Sequence, residues 1–313
     1  MIRIGSRGSA LARWQADHIA VELRDRGHQV SIEILVTTGD RVQHAPFMQV
    51  GTKGMFTKEI EEALADQRID LAVHSLKDLP TELSEEFTIA AIPKRADARD
   101  AFVSVRYQNF AALPPGAVVG TSSLRRQAQL RALRSDLDIR ELRGNVDTRL
   151  RKLHQGQYDA IILAAAGLDR LGLAADVKEL FSPTQMCPAA GQGALAVECR
   201  ANDKASLAVV SALDDLPAHF AVLVERAALS TLGGGCHLPV GVYCEPTNNG
   251  WMVIGVVART DGSQVLREQM ELNQERPPAE DAGRAMANRL LARGAAEFLA
   301  AVEAAPPAGN PGR

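Results

Sequence analysis

The spacing of apolar residues changes period repeatedly through the first 92 residues. Residues 2–4 read as a short strand, and over residues 9–24 Leu11, Trp14, His18 and Val21 recur near helical spacing. Residues 30–36 alternate as a strand does. Residues 55–65 read as a helix, because Phe56, Ile60, Ala63 and Leu64 share one face while Lys58, Glu61 and Glu62 face water. Residues 70–73 and 88–92 are further strands. Such alternation predicts a largely parallel sheet with helices on both faces.

The polar, unpatterned stretch 93–100 interrupts this rhythm and is expected to be a hinge. A second α/β unit follows, with strands at 101–105, 117–120, 139–142 and 160–163 and helices at 124–134 and 146–155. Pro183, Pro188 and two glycines in residues 182–193 suggest a return crossing that lets strand 194–198 rejoin the first unit. Helix 220–232, strands 240–244, 251–257 and 264–271, and one long helix 279–301 then predict a small α+β unit. The tail 304–313, rich in Pro, Gly and Ala, is expected to be disordered. The two α/β units look like related halves.

Composition narrows the function more than the fold. The 313 residues are 46% hydrophobic and 23% charged, as in an ordinary globular protein of two or three domains. A net charge of -3 argues against a nucleic-acid binder. Between Thr121 and Lys152, however, nine Arg or Lys stand against four acids, which suits a small anionic ligand. No apolar run approaches the roughly 18 residues of a membrane span. With no leader pattern before the first strand, a cytoplasmic protein with reduced thiols is expected. Its four cysteines (Cys187, Cys199, Cys236, Cys244) include no Cys-x-x-Cys pair, and the Cys236, His237, Cys244 spacing matches no common zinc pattern, so no metal is expected.

Three strand ends lead into helices through small hydroxyl residues and arginine: Gly5-Ser-Arg-Gly-Ser9, Gly120-Thr-Ser-Ser-Leu-Arg-Arg126 and Leu142-Arg-Gly-Asn-Val-Asp-Thr-Arg149. Each could be only a helix cap. Together, on the carboxyl ends of strands, they suggest receptors for carboxylates or phosphates between two lobes. No Walker or Gly-x-Gly-x-x-Gly pattern points to a nucleotide. At His74-Ser-Leu-Lys-Asp-Leu-Pro80 a strand ends and leaves Lys77 and Asp78 in a turn. Asp78 there is solvated surface, or a group that binds N–H donors and moves protons. A Lys77 Schiff base is the rival chemistry. Gly54 in the loop bearing Lys53 and Lys58 would let that loop act as a lid. Leu232-Gly-Gly-Gly-Cys236 is a tight turn with an incidental thiol, or a display for a reactive one. A non-catalytic two-lobed anion receptor remains the alternative to an enzyme.

These motifs, with Trp14-Gln15, Lys53-Gly-Met-Phe-Thr-Lys58, Gly191-Gln-Gly193 and Glu225-Arg226, resemble the porphobilinogen deaminase (hydroxymethylbilane synthase) family over nearly the whole chain. The resemblance implies two doubly wound, periplasmic-binding-protein-like (type II) α/β lobes and a small α+β C-terminal domain with a three-stranded antiparallel sheet. Expected boundaries are 1–94 with 190–211, then 98–188, then 216–303. It further implies a transferase that condenses four porphobilinogens head to tail with loss of ammonia, giving hydroxymethylbilane. The cofactor it implies is a dipyrromethane, bound covalently as a thioether to Cys236. Asp78 would be catalytic. Lys77, Thr121, Ser122, Ser123, Arg125, Arg126, Arg143 and Gly193 would hold the cofactor with Cys236. Arg7, Ser9, Gln15, Lys53, Phe56, Arg149 and Gln192 would bind substrate. The small-molecule substrate would be the only partner of a monomer, with neither nucleic acid nor membrane. Gly233 stands where the family more usually has Glu, and Ala228 where it often has a bulkier residue; both leave the loop and its packing open.

Overall fold

The computed structural model describes residues 1–37, 57–235, 238–273 and 277–304. Lys53, Phe56 and Cys236, the Gly54 loop and most of the expected tail lie outside them. The first unit runs β1 (Ile2–Arg7), α1 (Ala10–Asp25), β2 (Val30–Leu35), α2 (Lys58–Ala65), β3 (Leu71–Ser75) and β4 (Phe87–Ala91). The second runs β5 (Asp100–Val103), β6 (Val118–Gly120), α3 (Leu124–Leu133), β7 (Asp138–Arg140), α4 (Val146–His154), β8 (Ala160–Ala164), α5 (Ala165–Arg170) and β9 (Val177–Leu180). The chain then returns as β10 (Leu195–Arg200) and α6 (Lys204–Val210). A third unit closes it: α7 (Leu216–Thr231), β11 (Val240–Thr247), β12 (Gly250–Ala258), β13 (Val265–Leu272), α8 (Ala279–Ala292) and α9 (Ala295–Glu303).

Local chemistry explains most of the boundaries. The Ser9 side chain caps α1 by accepting from the Ala12 N–H, and α1 buries Ala16, Ile19, Ala20 and Leu23 against Ile4, Leu71, Val73, Leu195 and Val197. Each such large apolar side chain stabilises the lobe by about 1.5–3 kcal/mol relative to exposure. Asp215 caps α7 in the same way, with Pro217 in the first turn, where a missing N–H costs nothing.

Both lobe sheets are mixed rather than largely parallel. Their orders are β2-β1-β3-β10-β4 and β7-β6-β8-β5-β9, with the fourth strand antiparallel to both neighbours. In each lobe that strand enters from the other lobe: β5 follows the hinge from β4, and β10 follows the return from β9. The third unit is the antiparallel sheet β11-β12-β13 covered by α7, α8 and α9. The expected single helix over 279–301 is two, because Gly294 adopts a left-handed φ of 95° between α8 and α9. The short elements β9, α5 and α6 were not expected from the sequence. Among the described residues no single helix is long and apolar enough to cross a membrane.

Candidate active site

The turn after β3 is shaped by two buried leucines. Leu76 and Leu79 sink into a cluster with Ile92, Ala194, Ala218 and Val222, and the Leu79 N–H donates to the Leu76 carbonyl at 3.1 Å. The polar residues between them are therefore turned outward: Lys77 is half-buried and Asp78 exposed. The end of β3 is fixed from both sides. Gln15 of α1 donates from Nε2 to Ser75 Oγ at 2.7 Å, and His74 Nε2 lies 2.8 Å from the fully buried Glu198 Oε2 of β10.

The second lobe presents its arginines on the opposite side. Ser123 caps α3 by accepting from the Arg126 N–H, Thr121 is buried, and Ser122 Oγ donates to the Leu142 carbonyl at 2.6 Å. Asp100, at the start of β5, is wholly buried and accepts from Arg125 Nη1 at 2.6 Å, Arg126 Nε at 2.9 Å and Arg126 Nη2 at 2.7 Å. Burial alone would raise the Asp100 carboxyl, but the two guanidinium charges outweigh it and hold the group well below the usual carboxylate range. Arg149 of α4 donates from Nε to the Gly144 carbonyl at 2.7 Å. Burial, with the Arg126 charge beside it, brings Arg149 down to about 10. Lys77 is pushed down to about 8, mainly by burial; Asp78 opposes the shift and Arg126 adds to it. Lys77 and Arg149 each feel the charges of Asp78 and Arg126, which groups three cations near one accessible carboxylate.

Other expected site residues sit differently. The Arg125 side chain is 4% exposed and turned away from the cleft, with Nη1 also donating to the Cys187 carbonyl at 2.7 Å. Gln192, expected to touch substrate, is buried and braces the cluster around Asp100. Its Nε2 donates to the Ala98 carbonyl at 2.7 Å and to Asp100 Oδ1 at 2.9 Å, while Lys77 Nζ approaches its Oε1 at 3.4 Å. Gly193, expected to contact the cofactor, lies in the return crossing with a φ of 87°, and a Cβ there would come within 2.5 Å of the Ala96 carbonyl oxygen in the outgoing crossing. Arg143 pairs with Glu141 at 2.7 Å, Ser9 acts as a cap, and Arg7 ends β1 half-buried.

Arg170 and Arg95 were not singled out from the sequence, and Glu225-Arg226 entered only as a family motif. Arg170 of α5 is buried, donates to the Gly193 carbonyl at 2.7 Å and lies over the Trp14 ring, and burial lowers it to about 10. Arg95 in the hinge grips Glu225 of α7 with two bonds of 2.7 and 3.0 Å. Glu225 also accepts from the Gly191 and Cys244 N–H groups, so one buried carboxylate joins both crossings to the third unit. The next residue, Arg226, reaches the backbone after Asp78, donating to the Pro80 and Thr81 carbonyls at 2.6 and 3.0 Å. Only the Asp100 signal was available locally, as a lone acid bordering an apolar strand.

Helix α7 ends in a glycine cap. The Gly234 N–H donates to the Leu229 carbonyl at 2.8 Å, and Gly233 and Gly234 have φ of 107° and 71°. Cys236 is two residues further on. Cys187, Cys199 and Cys244 are free and buried. Among the described residues no group of three His, Cys, Asp or Glu could hold a metal.

Comparison with known proteins gives this arrangement a family. The family model "Porphobilinogen deaminase, dipyromethane cofactor binding domain" matches residues 2–208, and "Porphobilinogen deaminase, C-terminal domain" matches residues 219–292. The chain is 48% identical over 305 residues to the porphobilinogen deaminase of Thiobacillus denitrificans, covering 97% of this chain and 99% of that protein. It is 47% identical over 301 residues to the porphobilinogen deaminase of Methylobacillus flagellatus, covering 96% of each. Among solved structures, a periplasmic substrate-binding protein of an ABC transporter from Coxiella burnetii is similar over 70% of this chain and 93% of its own, at 19% identity and a TM-score of 0.43. With both of its parts matched and nearly half its residues identical to full-length relatives, the chain belongs to the porphobilinogen deaminase family.

Proposed function

We propose that this protein is a transferase that joins four porphobilinogen molecules head to tail, with loss of one ammonia per condensation, on a dipyrromethane held by Cys236, and that water then replaces the primer at the end of the four-unit chain, breaking that bond and giving hydroxymethylbilane. The observation that carries the reading is the exposed carboxylate of Asp78 set among Lys77, Arg126 and Arg149, cations from both lobes. Porphobilinogen carries an acetate and a propionate, so a growing chain gathers many carboxylates and needs such donors. The same donors fit a dipyrromethane, which has the same side groups; Lys77, Arg126 and Arg149 would hold it, with Thr121, Ser122 and Ser123 at the start of α3. When bound, that group supplies the pyrrole ring carbon to which the first unit is joined.

Each condensation breaks the carbon–nitrogen bond of one aminomethyl group, releases ammonia, forms a carbon–carbon bond to the free ring carbon of the neighbouring unit and removes that carbon's proton. Asp78 accepts a hydrogen bond from the pyrrole N–H of the incoming substrate. As ammonia departs, it stabilises the positive charge that develops on that nitrogen, an interaction worth about 4 kcal/mol at 4 Å in a partly screened site. It is also placed to carry the proton lost from the ring carbon. Arg126 and Arg149 hold substrate carboxylates so that the reacting carbons stay aligned. The same reading makes the protein a monomer in the cytoplasm, where its free thiols stay reduced.

Intact mass spectrometry tests the proposal. Purified active protein should exceed its sequence mass by a two-pyrrole adduct that Cys236→Ala lacks, and Asp78→Asn should keep the adduct while losing nearly all turnover. Active protein of unmodified mass would sink it.

A further inference from the structure

Arg226 is 9% exposed and lies midway along α7. Its guanidinium donates to three consecutive backbone carbonyls: Leu79 at 3.4 Å, Pro80 at 2.6 Å and Thr81 at 3.0 Å. These are the three residues that directly follow Asp78. At the far end of the same segment, Thr81 Oγ1 donates to the Gly234 carbonyl at 3.4 Å, in the glycine cap that leads to Cys236. One side chain therefore binds the exit of the Asp78 turn to the helix whose end carries the tether cysteine. Only arginine among the side chains offers a planar fork of five donors able to gather several carbonyls at once.

We propose that Arg226 is a positioning residue for Asp78: it fixes the 79–81 backbone on α7 and so sets the offset between the Asp78 carboxylate and the root of the Cys236 loop. This rests on the reading of Asp78 as catalytic. The segment is also held by buried Leu79, by the ring of Pro80 and by the longer Thr81 bond to Gly234, which restrict it without aiming Asp78. A shift of the carboxylate of about 1 Å is enough to lower a rate by about 100-fold. Substrate affinity, set by Lys77, Arg126 and Arg149, should change little.

The test uses full-length Arg226→Gln and Arg226→Lys. The expected result is an intact two-pyrrole mass adduct, KM within about threefold of wild type, and kcat lower by roughly 10- to 100-fold for Gln and less for Lys. A groove of about 280 Å³ lined by Thr81, Leu223, Arg226, Ala227 and Ser230 opens beside the side chain. Millimolar guanidinium should enter it and restore kcat of Arg226→Gln several-fold without affecting wild type. In an Asp78→Asn background, adding Arg226→Gln should lower the residual rate less than twofold, because the residue acts through Asp78. Unchanged kcat with the adduct present, or full additivity in the double variant, would overturn the proposal. So would loss of the adduct in both variants, which would mark Arg226 as structural. A fully active Asp78→Asn would instead overturn the catalytic reading itself.

Discussion

Replacing Asp100 with Asn should be among the most damaging single-atom changes in the chain. The carboxylate is wholly buried and takes bonds of 2.6 and 3.3 Å from Arg125, 2.9 and 2.7 Å from Arg126, and 2.9 Å from Gln192. Asn keeps the shape but turns one acceptor oxygen into a donor that faces other donors, and it removes the negative charge bonded to both guanidinium groups. Breaking a buried ion pair from one side costs about 3–5 kcal/mol. Two cations share this carboxylate, but each keeps a backbone carbonyl partner, Arg125 that of Cys187 and Arg126 that of Ile162, so the expected loss stays at about 3–5 kcal/mol instead of doubling. Against a total stability of roughly 5–15 kcal/mol this is a large fraction.

Urea unfolding followed by circular dichroism measures it, with Asp97→Asn as control. Asp97 pairs with Arg99 at 2.6 Å, but both side chains are over a third exposed, and its loss should cost under about 1 kcal/mol. The pH dependence adds a second check. Asp100 titrates well below the ordinary carboxylate range, so its stabilisation is complete above roughly pH 4 and lost only as pH falls through the depressed value. The wild-type and Asp100→Asn curves should converge only in strong acid. A cost below about 1 kcal/mol at neutral pH would refute the account of the buried cluster.

Because Lys77 loses its proton near pH 8, KM for porphobilinogen should climb above that pH, and Lys77→Arg should abolish the climb; a parallel climb in both would assign it elsewhere. Native thiol titration should find Cys187, Cys199 and Cys244 unreactive, since burial lifts all three above the usual thiol range, Cys199 to about 11. More than one fast-reacting thiol would contradict this. Gly233→Ala should lower stability by about 1 kcal/mol through its positive φ alone, because a Cβ there would meet only Leu238 Cδ1, at an ordinary contact distance of 3.5 Å; an unchanged urea midpoint would show that the cap is not needed. Gly234→Pro should cost more, as it removes both a left-handed residue and the N–H that closes α7, and a wild-type midpoint would rule that out.

The two lobes were legible because each βα unit shows its own period and caps, as at Ser9 and Ser123. The direction of β10 was not. Leu195 to Cys199 is buried on both faces, as a central parallel strand would be, and nothing in that pattern records polarity. The break at Gly294 was hidden in an alanine-rich run that stays amphipathic on both sides. At the site, Lys77 and Asp78 announced themselves by standing between two apolar anchors. The buried bonds of Arg125 and Gln192 were not legible for one reason: Asp100, which accepts from both, lies 25 and 92 residues away. Arg226 meets its carbonyls across about 146 residues, a distance over which sequence pattern carries no information.

The exchange of strands between the lobes has a consequence for how this chain is made. In the first sheet β4 pairs only with β10, and β10 also borders β3. A ribosome that has synthesised all of β1 to β4 has therefore released a sheet with its fourth position vacant. That vacancy persists until the whole second lobe and residues 195–200 have emerged. During that interval β3 and β4 expose unpaired strand edges that invite pairing with other chains. A chain truncated anywhere before residue 195 would remain in that state, so the first lobe cannot be had by cutting the protein between the two.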